Sequence, residues 1–237
     1  MKEELIEIFD GKKIYVDTDE WRGNRVKELK GTQQEKIKSL ANLIETEKYD
    51  LFLDIGANYG EFAIALAHYN IPILCFEPNP ICVQLLNKTF KNIDNVKVID
   101  GAAGSIDEHR SFYYSKHYSG GGSFGKGVIQ LAHHSKGEIE EIYTRVYRID
   151  DYIIENYNPL PKKVLIKMDG EGFEDEVFTG CQKILEQCKW KALIETNFDA
   201  VLKAEKDPET WFNVFNLATG VREYGRFGNN DDILIRI

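Results

Sequence analysis

The sequence predicts an α/β fold: a doubly wound, mostly parallel sheet with a C-terminal antiparallel strand pair, preceded by a small N-terminal hairpin and helix. Three observations carry this reading. From residue 51 onward, short apolar runs recur ("LFLDI", "IPILCFE", "VKVID", "KVLIKMD", "KALIET"), and runs apolar on both faces belong to parallel strands covered by helices. Stretches of helical period follow several of them. The chain closes with "VREYGRFGNNDDILIRI", two β-prone runs about a turn at Gly228-Asn229-Asn230, which suits an antiparallel pair.

In chain order, residues 6–16 are two β-prone runs about Asp10-Gly11, a dipeptide that tolerates the positive φ angles of a tight turn. Thr32 and Glu35 fit the capping box T-x-x-E, and Ile37, Leu40, Ala41 and Ile44 follow at helical spacing, so a helix of about three to four turns precedes the first parallel strand. After "CFEP", Asn79 suits an N-cap and Pro80 the first helical position, with Val83, Leu86 and Phe90 on one face. After "KMDGEG", Glu174, Asp175 and Glu176 complement the dipole of a helix that buries Phe173, Val177, Ile184 and Cys188. Residues 104–140 break the rhythm: five glycines between 120 and 127 predict a long loop, with Lys116–Gly127 as a mobile lid.

The chain has 237 residues, of which 43% are hydrophobic, enough for one large domain with a sizeable core. A formal charge of −9 and the lack of a basic stripe argue against nucleic acid as a partner. The charged start "MKEELIEIFDGK", with no run near the roughly 18 apolar residues of a membrane span, predicts a cytoplasmic protein. Cys75, Cys82, Cys181 and Cys188 lie in or beside apolar segments without zinc-site spacing and are expected as reduced core thiols.

Ligands of open α/β sheets bind beyond the carboxyl ends of the strands. Asp54, Glu77, Asp100, Asp169 and Glu195 stand there, and so many strand-end acids point to a polar cleft. In "DIGANYG", Gly56 and Gly60 let the backbone turn sharply, and Asp54 puts a negative charge where a pyrophosphate would want none. The spacing D-x-G-x-x-x-G differs from the G-x-G-x-x-G of dinucleotide binders, which argues against a nicotinamide oxidoreductase. With Glu77 suited to ribose hydroxyls, an adenosine carrying a cation fits both acids, and that ligand is S-adenosylmethionine.

"FLDIGANYGEFAIALA", "CFEPNP" and above all "VLIKMDGEGFEDEVFTGCQKIL" resemble the signature segments of FkbM-family methyltransferases. The family's third signature runs approximately K-x-D-x-E-G-x-E, and Lys167, Asp169, Glu171, Gly172 and Glu174 match it in turn. "YRIDDYI" and "ALIET" are lesser matches, and the resemblance spans about residues 48–200. It implies a class I methyltransferase (Rossmann-like) domain over 48–237 behind an extension at 1–47, S-adenosylmethionine as donor, and mostly hydroxyl acceptors on sugars or other secondary metabolites.

The expected function is O-methylation of a carbohydrate or glycoconjugate hydroxyl. The alternatives are a polyketide, peptide or amine acceptor, or a binding module without chemistry. Asp54, Gly56, Asn58, Gly60, Glu77, Asp100 and Ala102 are the expected cofactor residues. Asp169 is the favoured base for the acceptor hydroxyl; Glu171 and the loop residue His117 are further catalytic candidates. Lys167, Glu195 and Tyr118 are candidate acceptor contacts. Asp150, Asp151, Asp169 and Glu171 are hard-oxygen groups that suit a divalent ion, but caps and surface acids look the same in sequence, so no metal is assigned.

Overall fold

The computed structural model describes residues 1–129, 139–195, 198–211, 213, 224–227 and 232–236. Strands β1 (Glu3–Glu7) and β2 (Lys13–Asp17) form the expected hairpin, with Ile6 opposite Ile14. It turns through Asp10 and Gly11, at φ 54° and 70°. Helices α1 (Trp21–Leu29) and α2 (Gln34–Glu47) follow.

The capping box expected at α2 does not form. The helix starts at Gln34 without a side-chain cap, because the Thr32 amide and hydroxyl both donate to Glu61, at 2.7 and 2.8 Å. A carboxylate is a stronger acceptor than the local alternatives and captures both donors.

From there the chain alternates strand and helix: β3 (Leu51–Ile55), α3 (Glu61–Leu66), β4 (Ile73–Glu77), α4 (Pro80–Thr89) and β5 (Val96–Asp100). Asn79 caps α4 as expected, accepting from the Ile81 amide at 3.1 Å. An insertion follows: β6 (Ala102–Gly104), β7 (Glu108–Ser115), β8 (Tyr118–Ser123), α5 (Lys126–Ile129) and β9 (Ile139–Arg148). Next come α6 (Ile149–Asn156), β10 (Lys163–Met168), α7 (Glu174–Gly180), α8 (Gln182–Gln187), β11 (Lys189–Glu195) and α9 (Phe198–Lys203). The C-terminal pair is β12 (Tyr224–Phe227) and β13 (Asp232–Arg236); its expected turn at 228–230 lies outside the described residues.

The main sheet runs β12-β13-β11-β10-β3-β4-β5. Its five strands from β11 to β5 are parallel, and β13 is antiparallel to both neighbours. Counted from β3 in chain order, the strands lie 3-2-1-4-5-7-6, the doubly wound class I arrangement. Chain order reverses between β3 and β10, and the crevice past their carboxyl ends is where such sheets bind ligands.

Each face of the sheet carries its own apolar layer. One joins Ile37, Leu40, Phe62 and Leu86 to Ile6, Ile8, Ile14 and Val16 of the hairpin. The other joins Ile149, Ile153, Val177, Phe178 and Trp190. All four cysteines are free and buried. Among the described residues no helix is long and apolar enough to cross a membrane.

The loop and lid expected within 104–140 are corrected. That stretch supplies most of a second sheet of order β6-β9-β7-β8, and "YSGGGS" is strand β8. Its glycines serve packing rather than freedom: a methyl group at Gly122 would lie 2.6 Å from Phe112 Cζ, and one at Gly120 within 2.9 Å of the Tyr118 ring. A bare strand lets aromatic rings lie directly on the backbone.

The helix expected after "KMDGEG" is two helices, α7 and α8, broken at Cys181. Gly180 presses against β6, where a Cβ would sit 1.9 Å from the Gly104 carbonyl oxygen. Gly180→Ala should therefore push α7 off the inserted sheet and lower stability by about 1–3 kcal/mol or more. Denaturant titration checks this, and an unchanged midpoint would show that the contact is soft.

Candidate functional site

The carboxyl ends of β3, β4, β10 and β11, roofed by β8 and α1, enclose a cleft of about 1220 Å³, its share of open solvent included. The turn after β3 is tied to β4 by the Gly56 and Ala57 amides, which donate to the Phe76 carbonyl at 3.0 and 3.3 Å. Gly56, Ala57 and Asn58 line the cleft. Gly56, at φ 70°, has no room for a side chain because a Cβ would stand 2.2 Å from the Asp169 carbonyl oxygen. Gly60, at φ 81°, is pressed instead by Leu86 and Phe90 and lies outside the lining. Both glycines are thus required by neighbouring protein.

Glu77 lines the cleft and accepts the Asn58 amide at 2.7 Å and the Asn79 amide at 2.9 Å. One carboxylate therefore holds the turns after β3 and β4 together. Burial pushes its carboxyl up to about 7, against the pull of those two amides.

Three more of the expected site residues lie outside the cleft lining. Asp54 does not reach the cleft: it is wholly buried, and its carboxylate faces Lys167 Nζ at 3.5 Å. Burial raises its carboxyl while Lys167 opposes the shift. Asp100 is exposed and belongs to a separate surface depression with Lys97 and Tyr152; the neighbouring Ala102 does line the cleft. His117 is exposed at the tip of the β7–β8 hairpin, where its carbonyl accepts the Trp21 amide at 3.2 Å, away from the cleft lining.

The signature after β10 divides by role. Lys167 borders the cleft, but its ammonium donates to the Ile55 and Gly56 carbonyls at 3.2 and 2.6 Å and pairs with Asp54. An ammonium has three protons, and this one is engaged mainly by the scaffold. Glu174, also buried, folds the loop by accepting the Gly170 and Gly172 amides at 2.9 and 3.3 Å. That leaves Asp169 and Glu171 as the signature acids that line the cleft.

Glu171 adopts the left-handed conformation at φ 48°, and Ser123 Oγ holds its carbonyl at 3.1 Å. A non-glycine residue persists there only when its surroundings impose it. Burial, then the charge of Glu195, pushes the Asp169 carboxyl up to about 6. Burial and Asp169 drive Glu171 well above the ordinary carboxylate range. Glu195 lines the cleft and pairs with Lys36 at 3.1 Å. Tyr118 also lines it, its ring edge-on to Trp21.

The extension supplies residues that sequence reasoning missed. Arg22, Gln33 and Lys36 line the cleft. Arg22 Nε donates to Asn58 Oδ1 at 3.2 Å, and Nη2 pairs with Glu61 at 3.6 Å. Glu20 caps α1 through the Arg22 and Gly23 amides and also accepts from Tyr59 and from both the amide and hydroxyl of Ser119. Asn58 Nδ2 donates to the Ser119 carbonyl at 3.0 Å. The polar stretch "DEWRGNRVKELKG" has no period or motif that signals these partners.

Of the acids considered for a metal, Asp150 caps α8, accepting the Lys183 and Ile184 amides at 2.9 and 3.0 Å. Among the described residues no three His, Cys, Asp or Glu side chains gather to hold an ion.

Because Glu20 is buried and joins α1, the turn after β3 and strand β8, Glu20→Ala should strand several donors at once and lower stability by about 3 kcal/mol or more. Glu20→Gln, which keeps a carbonyl acceptor, should cost less. Urea unfolding of the two variants provides the check, with equal small losses counting against the network.

The family model for the methyltransferase FkbM domain matches residues 54–224. Among solved structures, the chain is similar to the methyltransferase FkbM from Methylobacillus flagellatus, with 18% identity and a TM-score of 0.49 over 78% of this chain and 43% of that one. It is also similar to precorrin-6y C5,15-methyltransferase from Geobacter metallireducens (15%, TM-score 0.44, 86% and 87% of the two chains). A third is an O-methyltransferase from Bacillus cereus (12%, TM-score 0.47, 86% and 80%). The chain spans less than half of the first of these proteins, and no curated protein matches it. With the family model covering most of its 237 residues, the chain belongs to the FkbM methyltransferase family.

Proposed function

We propose that the protein is an S-adenosylmethionine-dependent O-methyltransferase that acts in the cytoplasm on a hydroxyl of a carbohydrate or glycoconjugate. The observation that carries this reading is the pair of cleft-lining acids on either side of the topological switch point, Glu77 after β4 and Asp169 after β10.

The lining fits the donor at each part. Phe76, Pro78, Ala102, Ala103, Met168 and Val177 give one region an apolar character suited to a base. Glu77 stands beside it with its carboxylate fixed by two amides, and the lone pairs these leave can accept ribose hydroxyls. The described lining residues include five acids (Glu61, Glu77, Asp169, Glu171, Glu195) and three bases (Arg22, Lys36, Lys167), and the ionised carboxylates among them can face a ligand's positive centre. When bound, S-adenosylmethionine supplies an electrophilic methyl group.

The chain's own contribution is to hold the reactants in line and to receive a proton. Asp169 does the second: raised to about 6, it is ionised at neutral pH yet more basic than an ordinary aspartate. Its Oδ can take the proton of an acceptor hydroxyl. Tyr118, Phe112 and Phe124 line the inserted-sheet side, where aromatic faces with a polar tip suit a sugar ring. In this reading residues 1–47 are an extension that completes the wall of the 48–237 domain.

Glu77→Ala should weaken donor binding by about 1.5–3 kcal/mol, the size of hydrogen bonds to a charged group. Calorimetry on the folded variant tests this, and undiminished affinity would reassign Glu77 to the scaffold.

Incubation with methyl-labelled donor and a panel of sugar nucleotides, glycans and natural-product alcohols, followed by mass spectrometry, identifies the acceptor. With that acceptor, kcat/KM should rise with pH through about 6 as Asp169 ionises, because the deprotonated form is the active one. Asp169→Asn should abolish this limb and lower kcat by about 10²-fold or more. Near-normal turnover with an unchanged pH profile would remove Asp169 as the base.

A further inference from the structure

S-adenosylmethionine ends in an amino acid whose carboxylate must enter a cleft where acids outnumber bases. An anion placed among acids needs a cation beside it. Three cations line the cleft. Lys167 donates to the Ile55 and Gly56 carbonyls and pairs with Asp54. Lys36 is drawn to Glu195 at 3.1 Å.

Arg22 differs in two respects. Asn58 and Glu61 engage its Nε and Nη2, leaving Nη1 of a residue that lines the cleft. It also rests on the residue whose amide binds Glu77: Asn58 donates its amide to Glu77 and accepts Arg22 on its side chain. A single residue therefore separates the acid suited to the ribose from this cation, as the donor's ribose is separated from its carboxylate by a short chain. Arg22 lies outside the segment 54–224 that defines the family match.

We propose that Arg22 receives the carboxylate of the donor's amino-acid tail, so that the N-terminal extension forms part of the donor site. A guanidinium binds a carboxylate through two parallel N–H groups, a geometry an ammonium cannot reproduce. The inference rests on the adenosyl-donor reading above.

The test compares ligands with and without the tail. Binding of S-adenosylhomocysteine and of 5′-methylthioadenosine, which lacks the amino acid, is measured calorimetrically for the wild type, Arg22→Gln and Arg22→Lys. Arg22→Gln should weaken S-adenosylhomocysteine by roughly 10- to 150-fold and leave methylthioadenosine unchanged, with Arg22→Lys in between. Equal losses for both ligands, or no loss for either, overturn the proposal.

If Arg22→Gln does not fold, judged by circular dichroism, the wild type with decarboxylated S-adenosylhomocysteine replaces it. That ligand should bind more weakly than S-adenosylhomocysteine, and Arg22→Lys should narrow the gap. Equal affinity for the two ligands in the wild type overturns the assignment. A wild type that binds none of these adenosyl ligands overturns the donor reading itself, and is told apart from failure of the arginine alone because methylthioadenosine then fails as well.

Discussion

The ammonium of Lys167 holds the switch point together. Where β3 and β10 end side by side, the Ile55 carbonyl accepts the Asp169 amide at 3.1 Å, and it and the Gly56 carbonyl have lone pairs for a further donor. Lys167, paired in register with Asp54, fills both and neutralises the buried aspartate. Buried charges persist when they are paired and hydrogen-bonded; here the lysine meets both conditions, while Asp54 relies on the ion pair. The position of the Gly56 turn, the approach of Asp169 to it and the level of the cleft floor all follow.

Much of this was legible in the sequence, and the parts that were not share a cause. Strand ends are readable because apolar runs stop abruptly, so Glu77, Asp169 and Glu195 could be placed at one edge of the sheet. Asn79-Pro80 was readable because a cap is a local contact. Asp54 misled because its residue type and strand-end position suit a ligand or a buried lysine equally, and only the register with β10 decides. Asp100 ends its strand exposed while Ala102, two residues on, lines the cleft, a difference that strand-end position does not reveal.

Glycine-rich β8 read as a loop for a related reason. Propensity reports what a backbone prefers when alone, whereas Gly120 and Gly122 are set by the rings of Tyr118 and Phe112 lying against them. Thr32 carried the letters of a capping box, but Glu61 is 29 positions away and took both of its donors. Arg22 and Glu20 could not be found at all: their partners Asn58 and Ser119 are distant in sequence, and no spacing rule connects an irregular polar stretch to a turn and an inserted strand.

The hairpin's Ile6, Ile8, Ile14 and Val16 share an apolar layer with α3 and α4, while the family match begins at residue 54. The segment the family model matches and the segment that shares one core are thus different lengths of chain. A protein trimmed to the matched segment would expose the flank of α4, leave Tyr59 and Ser119 without Glu20, and open one wall of its cleft to water. For this chain, the core reaches past the family segment to the first strand.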